Sequence, residues 1–194
     1  MAGQLDGKRV LVLGAETDIG RAVTTAVAEA GAKVAAVAAT SEAEAAFAVQ
    51  RLARRLSSGA QKVIAQAIDA TNEAALRVMV RQVSKELEGL DAVVYCKRPL
   101  PRVVSASQVE EELARDGHVH GLISKFAYKE LERSGGGKLV SIAHGAAVSL
   151  YVTPVPPLTE PLPVELISIG MQSKRPEAIA AEVIGAIAGE AESG

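Results

Sequence analysis

The feature that most constrains the fold of this chain is a regular alternation of short β-branched runs with segments of helical periodicity. Strands that alternate with helices in this way form parallel β-α units. The sequence therefore predicts an α/β fold, with a doubly wound parallel sheet of about six strands between two layers of helices. The predicted strands are Arg9 to Leu13, Lys33 to Ala38, Lys62 to Ile68, Asp91 to Tyr95, Lys138 to Ile142 and Val164 to Ile169.

Apolar residues at helical spacing predict the helices between these strands. The first helix begins near Asp18, where a carboxylate can cap it, and it is followed by Gly31. The second predicted helix carries Phe47, Val49, Leu52 and Leu56. The third carries Leu76, Met79, Val80, Val83 and Leu87 after a Thr71 cap. A long fourth helix begins with a Ser107 to Glu110 capping box, and the last helix begins at Pro176.

Composition narrows the classes of function. The 194 residues include 21 basic and 23 acidic side chains, so the net charge of -2 gives no reason to expect nucleic acid or an anionic membrane as a partner. Cys96 is the single cysteine, and no apolar run approaches the roughly 20 residues that a membrane-spanning helix needs. We expect one cytoplasmic domain over residues 1–194.

Four segments together resemble the short-chain dehydrogenase/reductase family. They are the turn LGAETDIG, which ends at Gly20, the sequence AIDATNEAA around Asp69, LDAVVY in the fourth predicted strand, and SGGGKLVSIA in the fifth. Their order and spacing agree with the family over about the first 145 residues. The resemblance implies a Rossmann-type fold and an ancestry among enzymes that transfer hydride with NAD(P).

The family's cofactor positions are only partly kept, so the resemblance implies a vestigial site at Gly14, Asp18, Ile19, Gly20 and Asp69. Asp18 holds the place of a glycine that lets the backbone approach the pyrophosphate. The family's residue that binds the ribose hydroxyls follows the second strand. This chain has Ala38-Ala39-Thr40 there, and none of these side chains is acidic or basic. The family's Asn-Asn-Ala-Gly segment is replaced by YCKR, which ends at Arg98. We therefore expect no cofactor, or weak NAD(P) binding at most.

The family's catalytic residues have also changed. The family uses a Tyr-x-x-x-Lys pair, and none of the three tyrosines has a lysine four residues later. His144 stands at the place of the family's Ser, and Asp116 at the place of its Asn, with His118 possible if the helix is shifted by a turn. Asp116 and His144 are therefore vestigial positions, and we expect no catalytic residues of the family's type.

The family's catalytic helix follows the fifth strand, and this chain has a proline-rich segment at 151–163 instead. Five prolines in this segment exclude a helix. We therefore expect the fold to lack the usual helix after strand 5, and strand 7 as well.

Several residues have a structural interpretation beside the functional one. Gly14 and Gly20 can be kept for packing alone, and Asp69 for a turn. The segment that ends at Lys97 and Arg98 either fills an unused groove or contacts phosphates. Histidines 118, 120 and 144, with Asp116, could bind zinc, but a His-x-His on a helix directs its side chains about 200° apart, and we expect no metal.

Three functions stay open: a non-catalytic subunit, or pseudoenzyme, that pairs with a related intact dehydrogenase or with itself; an NAD(P)-binding sensor; and an oxidoreductase with a rebuilt, histidine-containing site. The first predicts an oligomer interface on the long helix. An alternative is that the proline-rich segment covers this apolar stripe. The interface residues would be Leu122, Ile123, Phe126 and Leu131.

Overall fold

The structure is a computed structural model, which describes residues 3–58, 62–98, 105–143, 163–171 and 174–189. All six predicted strands are present, each with bounds within two residues of the prediction. The strands are β1 (Arg9–Leu13), β2 (Lys33–Ala38), β3 (Ile64–Ala67), β4 (Ala92–Cys96), β5 (Gly137–Ala143) and β6 (Val164–Gly170), and the helices are α1 (Asp18–Glu29), α2 (Ala43–Leu56), α3 (Glu73–Glu86), α4 (Ala106–Arg133) and α5 (Pro176–Ala188).

The strands form one parallel sheet in the order β3-β2-β1-β4-β5-β6. The order reverses between β1 and β4, and such a switch point opens a crevice at the carboxyl ends of these strands in α/β sheets. The fold prediction is therefore confirmed as a Rossmann-type α/β sheet. The predicted proline-rich replacement at 151–163 lies almost entirely outside the described residues.

Alternate residues along each strand pack into two apolar cores, one on each face of the sheet. Val10 and Val12 point into a core with α1, α2 and α5, whereas Leu11 and Leu13 point into a core with α3 and α4. All four of these side chains have no exposed surface. Such near-continuous apolar runs are typical of parallel strands that are buried on both faces.

Three predicted helix caps are wrong by one or two residues. The caps are Thr17 instead of Asp18, Asn72 instead of Thr71, and Ser105 instead of Ser107. In each case the cap residue has an extended backbone and its side-chain oxygen accepts from an amide three residues later. Neighbouring residues with similar side chains compete for this position, and the backbone path decides between them.

The predicted buried face of α2 is also corrected. Val49 and Leu52 are buried, but Phe47 is 64% exposed. Phe47 lies two positions before Val49, about 200° around the helix, and therefore on the opposite face.

Within the described residues, no helix combines the length and apolar composition needed to cross a bilayer.

Candidate functional site

The turn between β1 and α1 keeps its glycines because the backbones on either side approach closely. Gly14 has a φ of +89°, and a Cβ on it would lie 2.0 Å from the carbonyl oxygen of Cys96 in β4. A Cβ on Gly20 would lie 2.0 Å from the carbonyl oxygen of Gly14. Packing alone therefore requires both residues, and their presence does not by itself indicate a bound dinucleotide.

Thr17 stabilises this turn, in the role predicted for Asp18. Its Oγ1 accepts from the Gly20 amide at 2.9 Å and donates to the Gly14 carbonyl at 2.9 Å. The Asp18 side chain is 78% exposed and pairs with Arg21. An exposed and paired carboxylate repels a nearby phosphate weakly, so Asp18 opposes a pyrophosphate less than its position in the sequence suggests.

Glu16 contributes a contact that the sequence analysis missed. Its Oε2 accepts from the backbone amide of Ala39 at 3.1 Å, just beyond the end of β2. The side chain is 9% exposed, and Arg98 lies 4.0 Å from Oε1. Burial raises the pKa of the Glu16 carboxyl. A carboxylate therefore does lie at the end of β2, where an acidic residue reads the ribose in NAD-binding folds, but it comes from the turn after β1.

A buried ion pair joins the end of β4 to α4. Lys97 Nζ lies 2.6 Å from Asp116 Oδ2, and the two side chains are 1% and 9% exposed. Burial raises the pKa of the Asp116 carboxyl, while Lys97 acts in the opposite direction. The sequence analysis predicts Asp116 at the family's Asn place and Lys97 within the segment that replaces Asn-Asn-Ala-Gly. The ion pair lies beside the crevice at the carboxyl edge of the sheet, whose lining includes Asp116.

The described residues leave a cavity of about 100 Å³ at this edge of the sheet. Ligand pockets usually have volumes of roughly 300–1,000 Å³. The walls include five carboxylates, at positions 16, 42, 69, 112 and 116, and the two arginines Arg98 and Arg115. The mainly acidic walls of this small cavity disfavour a pyrophosphate.

Asp69 stabilises the turn before α3. Its Oδ1 accepts from the Thr71 amide at 3.0 Å and from the Thr71 hydroxyl at 2.6 Å. The hydroxyl bond is the main cause that lowers the pKa of the Asp69 carboxyl. Asp69 also lines the small cavity. It therefore stabilises its turn and at the same time lies at the crevice.

The two histidines of α4 point to different partners. His118 Nε2 lies 3.2 Å from the Thr71 carbonyl, and His120 Nε2 lies 2.9 Å from the Ser141 hydroxyl on β5. Burial lowers the pKa of His120. The Thr71 carbonyl precedes α3 and Ser141 lies on β5, so the two rings contact different parts of the fold. His144 lies outside the described residues.

The apolar stripe predicted as an interface faces the protein's own interior. Leu122, Ile123, Phe126 and Leu131 are between 0% and 7% exposed. They pack in the core beside Leu76, Met79, Val80 and Val83 of α3. The expectation that these four side chains are left for a partner is therefore corrected, because α3 and the sheet cover them.

The sheet order and the glycine turn at its switch point define this chain as a Rossmann-type α/β protein. Residues 8–152 match the family model for short chain dehydrogenases. The chain therefore belongs to the short-chain dehydrogenase/reductase family.

Relatives and solved structures agree with this assignment. The glycine betaine reductase ATRR of Emericella nidulans is 29% identical over 77% of this chain, and a short chain dehydrogenase of Pseudocercospora fijiensis is 36% identical over 47% of it. Short-chain type dehydrogenase/reductase structures from Mycobacterium marinum and Mycobacterium ulcerans superpose with a TM-score of 0.61 each, at 30% and 27% identity over 78% and 73% of this chain. The chain spans 12% and 28% of the two relatives, and 60% and 53% of the two structures.

Proposed function

We propose that this chain is a non-catalytic member of its family, which serves as a structural or regulatory subunit for a related, complete NAD(P)-dependent dehydrogenase. The observation that carries the proposal is the buried ion pair between Lys97 and Asp116, beside the crevice at the carboxyl edge of the sheet. The matching relatives are named as enzymes. The proposal departs from them because the 194 residues contain no Tyr-x-x-x-Lys sequence.

The ion pair opposes cofactor binding energetically. On this proposal, a dinucleotide that reached the Asp116 wall of the crevice would have to separate Lys97 from Asp116 or displace both side chains. Separating the pair so that one charge is left buried and unpaired costs about 3–5 kcal/mol, which would weaken binding by roughly two to four orders of magnitude. This cost adds to the small volume of the cavity and the acidic character of its walls.

Titration calorimetry with NADH and NADPH tests the cofactor part of the proposal. We expect no binding by the wild type at micromolar concentrations of either dinucleotide. The double variant Lys97→Ala/Asp116→Asn restores the family's residue types and removes both buried charges, so we expect it to gain measurable binding. Arg54→Ala on the exposed face of α2 is the control. Micromolar binding by the wild type would contradict the proposal.

The partner part needs a separate measurement. We expect a complete short-chain dehydrogenase to co-purify with this chain from its native source in a stoichiometric complex. Sedimentation of the chain alone and with that dehydrogenase then gives the composition of the complex. A monomer that forms no complex with any co-expressed dehydrogenase would refute this part and leave the cofactor result unaffected.

A second candidate function is an NAD-binding sensor, and one observation favours it. The Glu16 carboxylate at the end of β2 can accept from ribose hydroxyls but would repel a 2′-phosphate. A sensor of this kind predicts binding of NADH in preference to NADPH, and loss of that preference in Glu16→Gln. The same calorimetric experiment therefore distinguishes the two functions.

A further inference from the structure

A groove between α3 and α4, far along the chain from the cofactor turn, is lined mainly by cations. Its walls are Arg77 and Arg81 of α3 and Lys129 and Arg133 of α4, and its lining also includes Phe126 and Glu130. The groove has a volume of about 150 Å³. All four cationic residues are exposed at the surface, whereas Phe126 is 7% exposed.

The two helices set these cations in matched rows. Both helices follow a strand of the same parallel sheet and cover the same face, so they run in the same direction. Lys125 Nζ lies 2.8 Å from Glu73 Oε1, which fixes the pairing of the two helices at one level. One turn further, at the spacing of four residues, Arg77 and Lys129 follow, and another turn on, Arg81 and Arg133.

The sign of the pairing changes along the groove. At the first level an anion meets a cation, but the helical register places like charges on the two helices at the next two levels. Among the described residues, Glu130 is the single carboxylate of the groove lining, and it lies 2.6 Å from Arg133. No ion pair within the described part of the chain engages Arg77, Arg81 or Lys129. Cations placed opposite one another repel, so this arrangement favours an added anion.

We infer that this groove docks an acidic segment of a protein partner, with carboxylates at the spacing of successive helical turns. Successive levels of the groove are about 6 Å apart along the helices, which equals the rise over four residues in an acidic helix. Each guanidinium can donate two parallel hydrogen bonds to a carboxylate. The groove is thus complementary in charge and in spacing to glutamates four residues apart.

This surface is formed by exposed cations, and of the apolar stripe of α4 it includes only Phe126, which is 7% exposed. It also shares no residue with the cofactor crevice, so the inference does not depend on the proposed loss of catalysis. Docking here would leave the crevice unchanged. Failure of peptide binding and failure of the non-catalytic proposal are therefore separate results.

Fluorescence anisotropy with a labelled, alanine-rich helical peptide that carries four glutamates at four-residue spacing tests the inference. The full chain is used, with a glutamine peptide of the same length as the second probe. We expect the glutamate peptide to bind at least about tenfold more tightly than the glutamine peptide. The variant Arg81→Gln/Lys129→Gln should lose at least about tenfold in affinity for the glutamate peptide.

The control variant is Arg51→Gln/Arg54→Gln, which removes the same charge from the exposed face of α2. It should bind the glutamate peptide like the wild type. Equal binding of the two peptides, or an equal loss in the control variant, would overturn the inference. A short DNA duplex that binds as tightly as the glutamate peptide, and loses affinity in the same groove variant, would overturn the assignment to an acidic protein segment.

Discussion

At the scale of single residues, we expect Lys97 and Asp116 to have a large effect on stability, because both charges are buried and each has the other as its ion-pair partner. Replacement of Lys97 by Met removes the cation and leaves a buried carboxylate. We expect this change to lower the free energy of unfolding by about 3–5 kcal/mol, measured by urea denaturation at neutral pH.

The control for this prediction is the double variant Lys97→Met/Asp116→Leu, which replaces the pair with apolar side chains of similar size. Apolar replacement of a buried ion pair is often neutral or stabilising. The double variant should therefore recover most of the stability that Lys97→Met loses. A double variant as unstable as the single one would show that the ion pair itself, and not an unpaired charge, carries the effect.

His120 should make stability depend on pH below neutrality. Burial lowers its pKa in the folded state, so the unfolded chain binds the proton more readily. Stability is therefore unaffected well above the unfolded pKa of about 6.5, and it falls as the pH decreases through that value toward the folded pKa. Glu16 and Asp116 act in the opposite direction, because their pKa values are raised in the folded state.

The variant His120→Gln isolates this contribution, because its amide can still hydrogen bond to Ser141. We expect the wild type to lose more stability than His120→Gln when urea unfolding is compared at about pH 7.5 and about pH 5.5. Equal losses in the two proteins would show that another group is responsible.

At this scale the sequence predicted residue types better than it predicted their contacts. Gly14, Gly20, Asp69 and Asp116 all lie at or beside the carboxyl edge of the sheet, whereas the vestigial roles that the resemblance implied for them stay predictions. The contact of Glu16 was not predicted, because its partner Ala39 lies 23 residues away, beyond another helix and strand. Contacts of this kind depend on the tertiary fold, and no local pattern in the sequence indicates them.

Among helices and strands, two helical glycines allow a matched comparison of the effect of an added Cβ: Gly20 in the first turn of α1 and Gly121 within α4. Gly20→Ala would place a Cβ 2.0 Å from a backbone oxygen that cannot move far, so we expect severe loss of folded protein. Gly121→Ala lies on the exposed side of α4 with no atom of another element within 4 Å of the new Cβ. It should stabilise the chain by about 0.5–1 kcal/mol, because glycine is unfavourable within a helix.

Thermal unfolding of both glycine variants checks this prediction. A raised midpoint for Gly121→Ala together with a low yield or low midpoint for Gly20→Ala is the expected pattern. A well-folded Gly20→Ala would mean that the start of α1 can move away from the Gly14 carbonyl.

Periodicity predicted where the strands and helices lie, but it did not predict which element covers each apolar face. Every predicted strand is present in the structure. The strand and helix patterns alternate along the described fold, which made the strands easy to predict. The apolar stripe of α4 was predicted as an interface, although it packs against α3. An apolar stripe indicates burial, and the identity of the covering surface is set by the tertiary arrangement.

In the whole molecule, the sheet separates two cores, and its central strands are the most deeply buried part. Val10 to Leu13 of β1 and Ala92 to Val94 of β4 have no exposed surface, whereas the edge strand β3 is only half buried. The central strands should therefore open only when the whole fold opens.

Cys96 ends β4 directly beneath Gly14, and burial raises the pKa of its thiol. It is the single cysteine of the chain, so the natural sequence contains one built-in chemical probe of the sheet centre. A thiol reagent should modify the native protein only through transient unfolding, at a rate that increases with urea in parallel with the global equilibrium. Rapid modification in the absence of denaturant would instead reveal a local opening between β4 and the glycine turn, and would measure how often it occurs.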